Sequence, residues 1–390
     1  MNRGLTGQYT VTSVGGEDVR AFVPAPLPPD PPLQLDGSLL VALEEANIAL
    51  GRLDGAATHL PNPHLFVYSY VRKEAVLSSQ IEGTRSSLSD LMRYELRDAP
   101  GVPRSDAAEV SRYVKALYHA TEQMEDARDG LPLCNRLLRE AHKILLTGAR
   151  GGDKLPGEFR RSQNWVGGTR PGNAAFVPPP PVEAVEAMSA LERFLHASDD
   201  GLPTLVRAGL AHVQFETIHP FLDGNGRIGR MLIVLVLLER GVLSTPTLYL
   251  SLFLKQHRGL YYELLDRVRA TGEWEAWLEF FLDGVRSTAA TALDTSQRLE
   301  RMAADHRAAI SGSGRGAGSA LRVHEALTEM VLVDVAEVVE RTALSAPTVG
   351  AALRRLCDLG LVSEVTGRRR NRIFAYDGYL EVLEEGTEPL

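Results

Sequence analysis

Apolar residues recur every three to four positions through most of this chain, a spacing that predicts helices nearly throughout. Leu39, Leu43, Ala46 and Leu50 mark one face of a helix over 39–53, with Ser38 as its N-cap. A second helix is expected from about His64 to Glu82, stopping at Gly83, a residue suited to the left-handed position after a helix. Others follow over Ser105–Met124, with Val110, Val114 and Leu117 inward, then from Pro132 to Leu146, over Val182–His196 and over Thr204–Ile218. Met231–Leu238 is almost purely apolar and reads as a helix buried on all sides. Leu248–Lys255, Gly259–Ala270 and Glu273–Ile310 complete a mainly α core, the last as one or two helices.

Where the helical period fails, other structure is expected. Residues 1–37 are rich in proline and glycine and read as an extended surface arm with little regular structure. Phe159–Val166 and Ala174–Val177 flank a turn of glycine and asparagine, the pattern of a β-hairpin. Ser311–Ser319 has the composition of a flexible linker. Beyond it, Ala320–Met330, Val335–Thr342 and Ala346–Leu359 read as three helices, followed by strands Leu361–Val365 and Arg372–Tyr376. Three helices and a basic hairpin resemble a winged helix-turn-helix unit. Arg354, Arg355, Arg368, Arg369, Arg370 and Arg372 are its candidates for meeting phosphates.

Composition narrows the function. The 390 residues leave room for two or three domains, and 44% hydrophobic with 24% charged residues is an ordinary globular balance. A net charge of −8 argues against a protein that coats nucleic acid or anionic membrane. Cys134 and Cys357 lie far apart without metal-ligand spacing, as in a cytosolic protein with reduced thiols. The N-terminus carries no apolar signal region and no apolar run is long enough to span a bilayer, so a cytoplasmic location without a membrane partner is expected.

The chemistry concentrates in His219-Pro-Phe-Leu-Asp-Gly-Asn-Gly-Arg-Ile-Gly-Arg230. Pro220 disfavours the α conformation at His219, so the preceding helix should stop there. Gly224, Asn225 and Gly226 tolerate positive φ, and their successive N–H groups could form an anion-binding nest at a helix start. Arg227 and Arg230 are spaced to share one helical face and clamp an anion together. Asp223 offers a hard oxygen ligand for Mg²⁺, and His219, with an ordinary pKa near 6.5, is the candidate general base. Together these read as a loop for a polyphosphate and a metal. His212 reads as a core histidine supporting the loop rather than half of a metal pair.

Every fixed position of this stretch matches the motif of the Fic proteins, His-x-Phe-x-Asp/Glu-Gly-Asn-Gly-Arg-x-x-Arg, and the chain resembles that family. The resemblance implies a protein adenylyltransferase: a helical Fic bundle with a β-hairpin flap that transfers AMP from ATP to Ser, Thr or Tyr hydroxyls of target proteins, the chain itself included. It implies His219 as base, Asp223 as holder of Mg²⁺, and Gly224, Asn225, Gly226, Arg227, Ile228, Gly229 and Arg230 as the nucleotide-binding run. Tyr262 is carried over as a further nucleotide contact. Ser78-Ser-Gln-Ile-Glu82-Gly83 is similar to the family's inhibitory motif, in which the glutamate pairs with the second arginine, here Arg230. The flap over Val166–Val177 would pair with a target segment by strand addition.

The expected organisation is an N-terminal Fic-associated part over 1–100, a Fic core over 101–310, a linker over 311–319 and a winged-helix-like unit over 320–390. For that last unit protein contact or homodimerisation is favoured over DNA. A second function is carried alongside, a DNA-binding regulator whose Fic core senses nucleotide without turnover. The intact His219 and Asp223 favour the enzyme.

Overall fold

The computed structural model describes residues 2–59, 63–96, 104–125, 130–148, 152–197, 200–369 and 371–389. The chain opens with an antiparallel hairpin, β1 (Gly7–Val14) and β2 (Glu17–Pro24). There follow α1 (Gly37–His59), α2 (Pro63–Ile81), α3 (Leu88–Glu95), α4 (Arg104–Glu125), α5 (Asn135–Leu146), α6 (Pro181–His196) and α7 (Thr204–Ile218). Next come α8 (Asn225–Glu239), α9 (Ser251–Gln256), α10 (Arg258–Thr271) and the long α11 (Trp274–Ser311). The remainder is α12 (Ala317–Met330), β3 (Leu332–Asp334), α13 (Val335–Thr342), α14 (Ala346–Asp358), β4 (Ser363–Glu364), β5 (Ile373–Ala375) and α15 (Asp377–Glu384). The fold is mainly α, as the periodicity predicts.

At the centre lies α8, buried on every side from Ile228 to Leu237, which explains its lack of a polar stripe. It packs against α7, α4, α2 and α5. Helix α11 runs along α1 and crosses α7 closely at Gly209, where a Cβ would come within 3.0 Å of Leu278. That close approach lets the Trp277 indole N–H donate to the Gly209 carbonyl at 3.0 Å.

Several expectations need correction. Residues 1–37 are not an unstructured arm. The pair Gly15–Gly16, with φ of 61° and 85°, turns β1 into β2 in full register from Gly7↔Pro24 to Val14↔Glu17. The expected strands Phe159–Val166 and Ala174–Val177 reduce to one bridge, Val166↔Phe176, around a 3₁₀ turn at Pro171–Asn173. The Asn173 side-chain oxygen accepts from the Thr169 and Arg170 N–H groups, so the turn satisfies its own donors instead of extending a ladder. Glu273–Ile310, expected as one or two helices, is one, with Glu273 the N-cap of the 38-residue α11. In place of a nine-residue linker, a short turn over 312–316 joins α11 to α12, held by Arg355 donating to the Ser313 carbonyl at 2.7 Å. Two short helices, α3 and α15, lie where none is expected.

Residues 317–369 and 371–384 fold as four helices, α12 to α15, with the antiparallel sheet β3–β5–β4. The side chain of Arg355 is committed to the carbonyls of Ser313 and Arg315, and Arg372 lies over the Phe374 ring. Arg370 lies outside the described residues. No helix among the described residues is long and apolar enough to cross a membrane.

Candidate active site at the start of α8

Helix α7 ends at Ile218, as the following His-Pro requires, and His219 takes the left-handed conformation (φ 49°, ψ 58°) while its N–H still donates to Phe215 at 2.9 Å. A non-glycine residue in that region costs about 1–2 kcal/mol, so neighbours must hold it there. Gly224 (φ 79°) then turns the chain into α8. Of the three glycine-turn residues it alone has positive φ, because Asn225 and Gly226 already belong to the helix. The three residues therefore form no left-handed nest, and the N–H groups that lack a carbonyl one turn earlier are those of the first helical turn. The Asn225 amide closes the loop, accepting from the Phe221 N–H and donating to the Phe221 carbonyl, both at 2.8 Å.

Two residues that the sequence reading passed over fix this loop from behind. Arg160, 2% exposed, donates to the carbonyls of His219 (2.9 Å), Ile218 (3.4 Å) and Pro179, and its own N–H donates to the Pro220 carbonyl at 2.9 Å. Burial pushes its guanidinium down to about 10, still charged at neutral pH. Fully buried His142 stacks on Phe221 with ring centroids 3.7 Å apart. Its Nδ1 accepts from the Gly157 N–H at 2.9 Å, so Nε2 carries the proton and donates to the Asp223 carbonyl at 3.0 Å. Burial pushes this imidazole down to about 4. Asn164 adds bonds to the carbonyls of Phe221 (2.8 Å) and His219 (3.4 Å).

Arg227 and Arg230 do not clamp one point. Arg227 is ion-paired with Glu109 and lies 3.4 Å from Asp223. Arg230 turns towards α2, where Nε donates to the Ser78 hydroxyl at 2.9 Å and Nη2 to the Ser78 carbonyl (2.9 Å) and the Glu82 carboxylate (2.7 Å). Burial raises the Glu82 pKa, but Arg230 more than offsets it and the carboxyl ends below its ordinary range. Glu82 lies directly over Gly226, where a Cβ would sit 2.2 Å from its carboxylate oxygen. Gly229 is under the same constraint, its Cβ position lying 2.4 Å from Glu216. Only glycine lets these two acids reach the first turns of α8. Its neighbour Ile228 is wholly buried and packs the helix rather than facing the loop.

His219 is half-buried, and burial is the main reason its imidazole is pushed down to about 4. A hydrogen bond to the Glu216 main chain and the Glu82 charge pull the other way. The ring is thus neutral at pH 7 and able to accept a proton. The Asp223 side chain is 44% exposed, and its Oδ1 accepts from the Gly224 N–H at 2.6 Å. Tyr262 is partly exposed, with Glu82, Arg230 and Glu216 all acting on its hydroxyl. Its neighbour Tyr261 is buried and donates to His212 Nε2 at 2.9 Å, while His212 Nδ1 donates to the Gly229 carbonyl at 2.8 Å. Among the described residues no cluster of three His, Cys, Asp or Glu side chains could hold a metal by itself.

The segment 166–177 follows in the chain directly after Asn164 and Trp165. Its base is joined to the N-terminal hairpin by the Phe22 N–H donating to the Val177 carbonyl at 2.9 Å. Glu17 reaches across to Arg170 (2.5 Å) and to the Gly172 N–H (3.2 Å).

Residues 40–122 match the Fic/DOC family N-terminal region, and residues 132–237 match the Fic/DOC family itself. The chain therefore carries a Fic domain preceded by the family's N-terminal region. Its fold is shared with a Fic family protein from Desulfovibrio desulfuricans, at a TM-score of 0.56 and 20% identity, covering 89% of this chain and 98% of that one. A Fic domain containing signaling protein from Bacteroides thetaiotaomicron aligns at a TM-score of 0.51 and 18% identity, over 67% of this chain and 97% of that one. The protein adenylyltransferase Fic of Culex quinquefasciatus is 37% identical over 133 residues, 34% of this chain and 24% of that protein. The one from Aedes aegypti is 36% identical over the same length. The chain thus spans about a quarter of the length of these curated relatives.

Proposed function

We propose that this protein transfers AMP from ATP to a Ser, Thr or Tyr hydroxyl of a protein and that Glu82 restrains the reaction. The observation that carries the reading is the convergence, at the first turn of α8, of a neutral His219, the Asp223 carboxylate and Arg230. The target hydroxyl oxygen attacks the α-phosphorus, the bond from that phosphorus to the bridging oxygen breaks, and pyrophosphate leaves. The hydroxyl proton passes to the His219 ring nitrogen not bonded to the Glu216 main chain. Negative charge brought beside the ring raises its basicity from the low ligand-free value.

The donor set fits Mg²⁺, which needs one or two carboxylates and takes its other ligands from phosphate and water; the single exposed Asp223 is such a ligand. When bound, the ion would neutralise charge on the polyphosphate. The first-turn N–H groups and Arg230 would bind phosphate oxygens, with Arg227 steadying Asp223 and Glu109. Glu82 occupies the guanidinium that a terminal phosphate would need, which supports its inhibitory role, with Ser78 fixing the arginine's other edge. Tyr262, at the margin of the same cluster, would pack against the nucleotide. The exposed residues 165, 167, 168 and 175 offer an open edge on which a target peptide would align. The DNA-binding alternative draws less support, since Arg355 is committed to carbonyls of the turn 312–316.

ATP labelled at the α or the γ phosphate, supplied with Mg²⁺, tests the reading on wild type, Glu82→Gly and His219→Ala. Label from the α position should reach protein, increase in Glu82→Gly and fall by 10²–10⁴-fold in His219→Ala, the usual contribution of a general base. Label arriving only from the γ position would replace AMP transfer with phosphoryl transfer.

A further inference from the structure

Two lysines lie buried on the far side of α2 and α9 from the catalytic loop: Lys73, 1% exposed, and Lys255, 6% exposed. Their hydrogen bonds go chiefly to main-chain carbonyls of the segment after α15. Lys73 donates to the Glu385 carbonyl at 2.8 Å. Lys255 donates to those of Glu388 and Gly386, the latter at 3.4 Å, and to the Gln80 side chain at 2.7 Å. Gln80 in turn donates to the Thr387 carbonyl at 2.7 Å and to the Ser86 carbonyl at 3.0 Å. The edges are closed by Arg298, paired with the Glu385 carboxylate at 2.6 and 2.7 Å, and by the Ser89 N–H on Glu384 at 3.0 Å. Gly386 (φ 80°) packs on Leu252, where a Cβ would approach to 2.8 Å.

This is more than a segment resting on a surface. Burying an ammonium group is unfavourable, and the burial pushes Lys73 down to about 8, so each lysine depends on the carbonyls it has found. Gln80 stands between Ser78 and Glu82 in the last turns of α2. One side of those turns holds Arg230, and the other holds residues 385–388.

We propose that Lys73, Gln80 and Lys255 form a binding site for peptide main chain, filled by this chain's own residues 385–388, whose occupancy sets how firmly Glu82 holds Arg230. The second half of this statement rests on the reading of Glu82 given above. A filled site pins the end of α2 and the loop 83–86. An emptied one strips Lys73 of the Glu385 carbonyl and Gln80 and Lys255 of the carbonyls of 386–388, and the last turn carrying Glu82 loosens. Because residues 385–388 continue directly from α15, a ligand that displaces α15 would act on the nucleotide site through this segment.

The test uses the full chain with Gly386→Val, which forces a β-branched residue into the left-handed region, and with Arg298→Glu, which repels Glu385 at an exposed rim and leaves the core intact. Hydrogen exchange of amides 79–84 and transfer of α-label from ATP are read together. Both variants should speed exchange at 79–84 about tenfold, with α10 unchanged. Both should raise labelling severalfold, never above Glu82→Gly, and adding either change to Glu82→Gly should give no further rise. Unchanged exchange at 79–84 in both variants overturns the peptide site. Faster exchange without more labelling, in a protein that Glu82→Gly does activate, overturns the coupling. If Glu82→Gly itself fails to raise labelling, the inhibitory reading falls, and the exchange data still decide the site.

Discussion

The loop 219–224 and the contact between Glu82 and Arg230 lie at the same helix end, yet they are held by different kinds of bond. The loop is fixed by hydrogen bonds to its main-chain carbonyls, from Arg160, Asn164, Asn225 and a neutral His142. No anion competes for those bonds. The α2 contact is a charge pair in which a carboxylate occupies a guanidinium that a phosphate could take instead. Main-chain bonds suit a part that must keep its shape through a reaction cycle, and an ion pair suits a part that must let go. Breaking the first should therefore lower stability, and breaking the second should chiefly change ligand binding.

The largest loss is expected for Arg160→Met, which leaves the carbonyls of His219 and Pro179 with only long 3.4 Å bonds from Asn164 and Gln163 in the interior. Thermal or urea unfolding should show about 3 kcal/mol lost, with transfer activity lost as well. An unfolding midpoint equal to wild type would mean the loop is held by something else.

His142→Leu should cost about 2 kcal/mol, by orphaning the Asp223 carbonyl and the Gly157 N–H. Its signature is the pH dependence. In the folded wild type His142 stays neutral down to about 4, whereas the unfolded imidazole protonates below its ordinary 6.5. The unfolded state thus binds the extra proton between those values, and wild type loses stability there as pH falls. The variant lacks this term, so the stability gap between the two proteins should narrow from pH 6.5 to 4. A gap independent of pH would contradict the neutral assignment.

Glu82→Gln should cost only about 1 kcal/mol, because its side chain is 35% exposed and solvent screens the pair. ATP binding by calorimetry should nonetheless tighten at least tenfold. A large stability loss with unchanged binding would erase the contrast between the two regions. The smallest effect is expected at the segment 166–177. Glu17→Ala removes an exposed pair with Arg170, worth a few tenths of a kcal/mol, and should show as faster exchange at 166–177 with the unfolding midpoint unmoved.

Much of this architecture is legible in the sequence where the signal is local. Pro220 ends α7 at Ile218, and the apolar run from Met231 marks α8 as the buried centre. Other signals were equally local but outweighed. Gly15–Gly16 between alternating residues is a hairpin signal, masked by the proline tract after it. Ser87 and Asp90 form a capping box that announces α3. What the sequence does not disclose is long-range pairing. Arg227 meets Glu109 more than a hundred residues away, so its spacing from Arg230 says nothing about whether the two act together. Arg160 and His142 escape notice for a related reason: their partners are backbone carbonyls, which every residue has, so no side-chain pattern points to them.

The absence of a side chain at Gly226 lets Glu82 meet Arg230 over the first turn of α8, and under the proposed function this turns the site into a balance between two populations. Under that proposal only molecules in which Glu82 has let go take the terminal phosphate productively, so the dissociation constant is divided by the fraction in that state. A contact engaged 99 times in 100 weakens apparent binding about a hundredfold, and each 1.4 kcal/mol added or removed shifts it tenfold. On this reading the chain responds to nucleotide concentration over a range set by how α2 is held, and that range can move without changing any residue that touches ATP.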